Sequence, residues 1–386
     1  NDPVANPKAQ VVSGNARFTV LTDRLIRMEW SEDGKFEDNA TLAIINRNLP
    51  VPAFTTAKSG DGVQIKTSAV TLNYSGGGRF DKENLSVSFK LNGKTVTWYP
   101  GKEDTGNLMG TARTLDGCMG PDKINNNDPM ELGIISRDGW AIVDESSRHI
   151  FVKDDSDWGE WVQARREGDV QDLYIFAYGH DYTAALADFT KVAGKIPLPP
   201  KYVFGYWWSR YKAYSADELI ALGKAFRNRN IPMDVMIIDM DWHKTWSDLF
   251  RSTTPRFPGG KAGRDEFNRR IGWTGWTWQK EFFPNPKNFL GELHRRNIKS
   301  SLNLHFDNGV QPYEEPYERF VKDYTSRTSD YDGPKDYVYT EPYTYKGNDY
   351  TVGKAGEKAP VPFRMSQIEW ADAFFNSIIR PFEEQG

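Results

Sequence analysis

Seven residues, Gly194-Lys195-Ile196-Pro197-Leu198-Pro199-Pro200, separate two stretches of chain whose hydrophobic patterns have different periods. Three prolines in four positions can continue neither a helix nor a central strand, so 194–200 reads as a linker between domains. The fold has to be sought as two folds.

Upstream, from about residue 11 to residue 178, short alternating runs are broken by turns. Residues 16–21 and 25–30 follow one another closely, 63–67 and 70–74 flank a Ser-Ala step, and 87–91 runs into Asn92-Gly93. Period-two alternation with turn residues at such spacing predicts antiparallel sheets arranged as a sandwich. Helical spacing first becomes convincing at 182–192.

Downstream the pattern changes. Tyr202-Val203-Phe204-Gly205-Tyr206-Trp207-Trp208 is nearly continuous in apolar residues, as expected of a strand buried on both faces. Ser215-Ala216-Asp217-Glu218 reads as a capping box, with Leu219, Ile220, Leu222 and Phe226 following at helical spacing. Val235-Met236-Ile237-Ile238-Asp239 is then a second buried strand, and strand, helix, strand is a parallel β/α unit. The unit recurs. Arg229-Asn230-Ile231 leads from a helix tail into the strand that ends at Asp239, and Arg296-Asn297-Ile298 leads likewise into Ser301-Leu302-Asn303-Leu304-His305. This is the pattern of a β/α barrel or a doubly wound sheet. Two strand-to-helix loops are long, 240–285 and 306–363. A third helix is expected from a second capping box, Ser366-Gln367-Ile368-Glu369, with an apolar stripe of Ile368, Ala371, Phe374, Phe375, Ile378, Ile379 and Phe382 and a closing Gly386. Three strands cannot close a barrel, so residues after Gly386, in the same gene product or a separate chain, are expected to complete the domain.

Bulk properties exclude some classes. The net charge of −4 points to neither a nucleic-acid backbone nor an anionic membrane, and no apolar run reaches membrane-spanning length. Cys118 is the only cysteine, which rules out an intrachain disulfide and a thiolate metal site, and it reads as a small buried hydrophobe. The chain begins Asn1-Asp2-Pro3 without an initiator methionine, and a secreted or periplasmic setting is the expectation. The 13 Trp, 18 Tyr and 22 Phe serve either core packing or stacking on the C–H faces of sugars.

Asp239 and Asp241 fall at the C-terminal end of a parallel strand, where α/β barrels place their active sites, and strand alternation would point both the same way. Each has a structural reading beside the functional one: a loop cap, or a partner for Arg210. His305 and Asp307 occupy the corresponding end of the next strand. Trp273-Thr274-Gly275-Trp276-Thr277-Trp278 brings three indoles together in one loop. Each indole N–H needs a partner, and the loop is either a sugar-stacking platform or a hydrophobic plug. No phosphate-cradling glycine motif, zinc-binding His pair or Gly-x-Ser-x-Gly elbow occurs.

Several of these motifs, in order, resemble glycoside hydrolase family 31. They are Lys195-Ile196-Pro197-Leu198-Pro199-Pro200, Gly205-Tyr206-Trp207-Trp208-Ser209-Arg210-Tyr211, Asp239-Met240-Asp241-Trp242-His243, the tryptophan loop, and Leu302-Asn303-Leu304-His305 with Asp307-Asn308-Gly309-Val310. Gly110-Thr111-Ala112-Arg113-Thr114-Leu115-Asp116 resembles part of that family's β-sandwich. The resemblance implies a β-sandwich over 1–193, then, over 201–386, the first part of a (β/α)8 TIM barrel truncated after its third β/α module. It also implies a retaining mechanism on α-linked sugars, with two carboxyls about 5–5.5 Å apart. In the family both come from later barrel strands, the nucleophile from the fourth, so no catalytic residue is expected before Gly386 and the chain alone is expected to be inactive. Asp239 matches the first Asp of the family's Asp-x-Asp motif, which hydrogen-bonds the reacting sugar. Many family α-glucosidases continue that motif with Ile and then Asp-Tyr, where this chain has Met240, Asp241 and Trp242, and His305 stands where they carry an Asp. Candidate substrate-binding residues are Asp239, Asp241, His305, Trp276 and Trp278. The expected partners are a carbohydrate substrate and the remainder of the barrel, with no metal, cofactor, nucleic acid or membrane. A non-catalytic carbohydrate-binding relative, or a transglycosylase or lyase on the same scaffold, are the alternatives.

Overall fold

The computed structural model describes residues 1–110, 130–244, 274–306, 309–328, 343–344, 351–353, 356 and 358–385. Cys118, Trp273, Asp307, Gly386 and the motif beyond Gly110 lie outside them. The chain forms two compact units, Asn1–Pro197 and Leu198–Gly386.

The first unit is a sandwich of two five-stranded antiparallel sheets. One runs Gln10–Ser13, Ala16–Val20, Leu25–Ser31, Val170–Phe176, Ala141–Asp144, and the other Thr55–Ser59, Gly62–Lys66, Val70–Tyr74, Leu85–Leu91, Lys94–Trp98. Alternation does the sorting: Phe18, Ile26, Met28 and Ile175 of the first sheet meet Ile65, Leu72, Val87 and Phe89 of the second in one buried cluster. Asn92-Gly93 turns the last hairpin with φ of 51° and 78°, the positive pair that a tight two-residue turn demands. The helix Tyr182–Ala193 follows, its first turn capped by Asp181, whose carboxylate accepts from the Ala184 amide.

The strand Leu25–Ser31 is buried at every position, including its charged ones. Arg27 sits opposite Tyr174 and Glu29 opposite Asp172, on the sheet face turned away from the apolar cluster. Arg27 grips Asp172 with two bonds of 2.8 Å, Arg165 adds a third of 2.6 Å, and Arg17 holds Glu29 at 2.7 Å. Burial pushes the Asp172 carboxyl up, but Arg27 and Arg165 outweigh it and hold it well below the usual range.

The second unit contains a three-stranded parallel sheet in the order Trp207–Trp208, Val235–Ile238, Lys299–Leu302. Helices Ala216–Asn228 and Pro286–His294 connect the strands. Ser215 and Glu218 form the expected capping box. The Arg-Asn-Ile repeat has a structural cause. Asn230 and Asn297 are both left-handed, with φ of 55° and 57°, and the amides of Ile231 and Ile298 reach back to Phe226 and Leu293. Each helix thus ends in a Schellman motif with Asn in the place usually taken by Gly.

Four expectations are corrected. Residues 202–208 do not form a strand buried on both faces: Lys201–Phe204 is a 3-10 turn, the strand is only Trp207–Trp208, and Phe204, Tyr206 and Trp207 are 74%, 46% and 41% exposed. The strand pairs on one side alone among the described residues. The segment 306–363 is not one long loop, because it holds the helix Tyr317–Arg327, which buries Tyr317, Phe320 and Tyr324. No capping box starts the last helix: it begins at Ile368, and Gln367 instead accepts from the Tyr324 hydroxyl at 2.7 Å. That helix is also not uniform, and its buried face is wider than the expected stripe, whose Phe374, Phe375, Ile378, Ile379 and Phe382 do pack into the core. Ile368–Phe374 and Arg380–Glu383 are α-helical, Phe375–Ile379 is a π-helix, and Trp370, Ala373 and Ser377 are buried beside Ala371, Phe374 and Ile378. The widening sits one turn before Pro381, which has no N–H to offer the Ser377 carbonyl. Arg319 fills that vacancy, its Nε donating to Ser377 O at 3.1 Å.

Candidate active site

Met236, Ile238 and Leu302 pack with Leu219, Leu222, Phe226, Phe289, Leu290 and Leu293 of the two connecting helices. Alternate residues along the strands therefore face away from that helix layer. Asp239 follows Ile238 and Asn303 follows Leu302, and since Ile238 pairs with Leu302 the two polar residues stand side by side at the C-terminal ends of neighbouring strands.

Asp239 caps the 3-10 turn Met240–Trp242. Its Oδ1 accepts from the Met240 amide at 2.7 Å and from Asn303 Nδ2 at 2.9 Å. Its Oδ2 accepts no hydrogen bond among the described residues, and Arg210 is exposed and not paired with it. Asp239 is thus a loop cap and an acceptor with one oxygen to spare. The turn overrides the alternation expected for Asp241, which is half-buried and already engaged in a contact of its own, as is His305.

The turn is held by a clasp. Trp242 is buried, with Nε1 donating to Asn303 O at 2.8 Å. The amides of Lys244 and Gln279 bond Thr277 O and Trp242 O, and His243 bridges to Trp278, so 242–244 runs alongside 277–279. The approach is close: a Cβ on Gly275 would stand 2.1 Å from His243 Nδ1. Trp276 and Trp278 do not form an open platform, being 2% and 4% exposed. Their indole N–H groups donate to Gly309 O at 2.9 Å and Gln385 Oε1 at 3.0 Å, and their faces meet Phe306 and Phe374, and Trp242, Phe283 and Phe382. With partners found for both N–H groups, burial is the stable placement for rings of this size.

Sequence reasoning missed two residues here. Asn303 could have been found as a polar side chain between Leu302 and Leu304, level with Asp239. Glu314 had no local signal. It is 5% exposed, and its Oε2 accepts from the Trp276 amide at 3.2 Å and from the Thr277 hydroxyl, while Oε1 has no partner among the described residues. Burial raises its carboxyl to about 7, against the lowering by Thr277, the Trp276 amide and Lys244. Among the described residues no cluster of side chains could hold a metal ion.

A parallel sheet backed by helices, with polar side chains gathered at its C-terminal edge, defines the opening modules of a β/α-barrel domain. Residues 196–357 match the TIM-barrel domain model of glycosyl hydrolases family 31. The second unit belongs to that family. An alpha-xylosidase of Saccharolobus solfataricus is 27% identical over 144 residues, which is 37% of this chain and 16% of that protein. Alpha-xylosidase XylQ of Lactiplantibacillus pentosus is 26% identical over 186 residues, 48% of this chain and 21% of that protein. A Flavobacterium johnsoniae GH31 dextranase, solved with glucose, has a TM-score of 0.56 at 18% identity and covers 100% of this chain. A GH31 alpha-xylosidase from a soil metagenome, solved with xylose, has a TM-score of 0.54 at 12% identity and covers 98% of it. This chain spans 47% and 55% of those two proteins, about half their length.

Proposed function

We propose that this chain is the N-terminal part of a retaining α-glycoside hydrolase acting on α-linked oligosaccharides or glycoconjugates. The nucleophile and the acid/base belong to later strands, in the length of the relatives that this chain does not span, and the chain alone is inactive. Asp239 hydrogen-bonds a hydroxyl of the sugar in the reacting subsite. The observation that carries this reading is the placement of Asp239. It ends a parallel strand on the face away from the helices, one carboxylate oxygen fixed and the other unengaged among the described residues, within a family 31 barrel domain. The names of the matching relatives, alpha-xylosidases and a dextranase, support an α-linked xylose or glucose residue as the first substrates to try.

A charge-assisted hydrogen bond to a sugar hydroxyl contributes roughly 1.5–3 kcal/mol, and it tightens as the ring flattens toward the oxocarbenium-like transition state. Asp239→Asn in the complete protein lowers kcat/KM at least tenfold, with most of the loss in kcat. Asp241→Asn is the control, its main effect being on thermal stability. An Asp239→Asn protein with unchanged kcat/KM on the best substrate would reduce Asp239 to a loop cap. Specific sugar binding with no turnover by the complete protein would make it a carbohydrate-binding relative.

A further inference from the structure

Asn303 is tied into the site at three points, and only one of them uses its side chain. Its amide donates to Ile238 O at 3.0 Å, its carbonyl accepts from Trp242 Nε1 at 2.8 Å, and its side-chain Nδ2 donates to Asp239 Oδ1 at 2.9 Å. The two backbone bonds fix where the residue sits whatever side chain it carries. The third fixes which way its carboxamide is turned, because the carboxylate of Asp239 can only accept and must face the NH2 end. The carbonyl oxygen Oδ1 is thereby directed to the other end of the amide, and it accepts no hydrogen bond among the described residues. Asp239 Oδ2 is in the same condition, because both donors to that carboxylate land on Oδ1. Neighbouring residues on adjacent strands thus hold one unengaged acceptor each, on the face away from the helices.

We propose that Asn303 is a substrate-binding residue. Its amide N–H locks Asp239, and its Oδ1 joins Asp239 Oδ2 as a pair of acceptors for two adjacent hydroxyls of one sugar ring. The proposal rests on the reading that Asp239 contacts the sugar and adds to it a second contact and a preference for a vicinal diol. Only donors satisfy two acceptors, so a ring carrying adjacent hydroxyls fits, and a ring in which one of them is replaced by hydrogen leaves one acceptor unpaired.

The test uses the complete protein and the best aryl α-glycoside found, together with its analogues lacking one ring hydroxyl at a time. Asn303→Ala lowers kcat/KM at least tenfold while the midpoint of thermal unfolding moves little, because both backbone bonds remain. Asn303→Asp, which puts an acceptor where the donor stood, loses at least as much. In a cycle of Asn303→Ala against the deoxy analogues, one analogue that is poor with the parent protein loses several-fold less further activity in the variant. Equal losses on every analogue make Asn303 a structural residue and overturn the proposal. So does an Asn303→Asp protein as active as the parent. An Asp239→Asn protein with unchanged kcat/KM overturns the underlying reading instead, and the two failures are told apart by which variant is silent.

Discussion

Glu314 offers the sharpest test of the clasp around Asp239. Its carboxyl stands at about 7 against an ordinary value of 4.5, and burial is the largest cause. A carboxyl raised in the folded state binds more protons there than in the unfolded chain between those two values. Stability is therefore lost as pH rises from about 4.5 to about 7 and is level above that. Taking the two values at face, the loss between pH 5 and pH 8 is on the order of 2–3 kcal/mol. The charged groups acting on Glu314 are Lys244, which lowers its pKa, and Glu315, which raises it. Glu314→Gln keeps an acceptor for the Trp276 amide and the Thr277 hydroxyl but cannot ionise. Its overall offset depends on how the new NH2 packs where Oε1 had no partner among the described residues. The slope with pH does not. Denaturant unfolding at pH 5 and pH 8, followed by tryptophan fluorescence, should show the parent losing about 2–3 kcal/mol more than the variant over that span. Parallel pH profiles for the two proteins would refute the argument, since Glu314 would then be as free to ionise in the fold as outside it.

Two further outcomes are expected. Asp172→Ala removes the shared partner of Arg27 and Arg165 inside the sandwich and should cost about 3–5 kcal/mol in denaturant unfolding, because Arg165 loses its buried carboxylate and Arg27 is left to share Glu29 with Arg17; a loss below about 1 kcal/mol would show that water reaches the pair. Gly275→Ala drives a Cβ against the buried His243 ring and should lower stability by roughly 1–3 kcal/mol, or about 2–4 °C in the melting midpoint per kcal/mol, and an unchanged midpoint would mean that the loop is not held against His243.

What could be read in advance depended on whether its cause was local. Asn92-Gly93 makes its own turn, Ser215 and Glu218 cap each other, and Asn230 and Asn297 each end a helix within six residues of chain. All three were legible. The aromatic run ending at Trp208 was misread because apolar composition tells how a strand could be covered and not whether it is, and its burial depends on a neighbour elsewhere in the chain. Tyr317–Arg327 was overlooked although Tyr317, Phe320, Val321 and Tyr324 keep helical spacing, because the charged residues between them hide a narrow stripe. Asp239 was legible from its place at a strand end. Its partner Asn303 needed the register between two strands, and Glu314 needed three segments brought together, which no window of sequence contains.

The clasp also sets an order of events. Trp276 reaches partners 33 and 38 residues further on, and Trp278 is tied to Gln385, 107 residues away. The capped helices and the sandwich hairpins can form from contacts close in the chain, within the first stages of collapse. The turn that aims Asp239 closes only after long loops have been drawn shut, at an entropic cost that nearby contacts do not share. On a ribosome, the residue that receives the Trp278 N–H is made more than a hundred residues after Trp278 itself, so the sandwich has ample time to fold first. The same long-range ties make opening cooperative. Losing one of them frees the turn of Asp239 together with the tryptophan loop, and amide exchange in the two segments should rise and fall together.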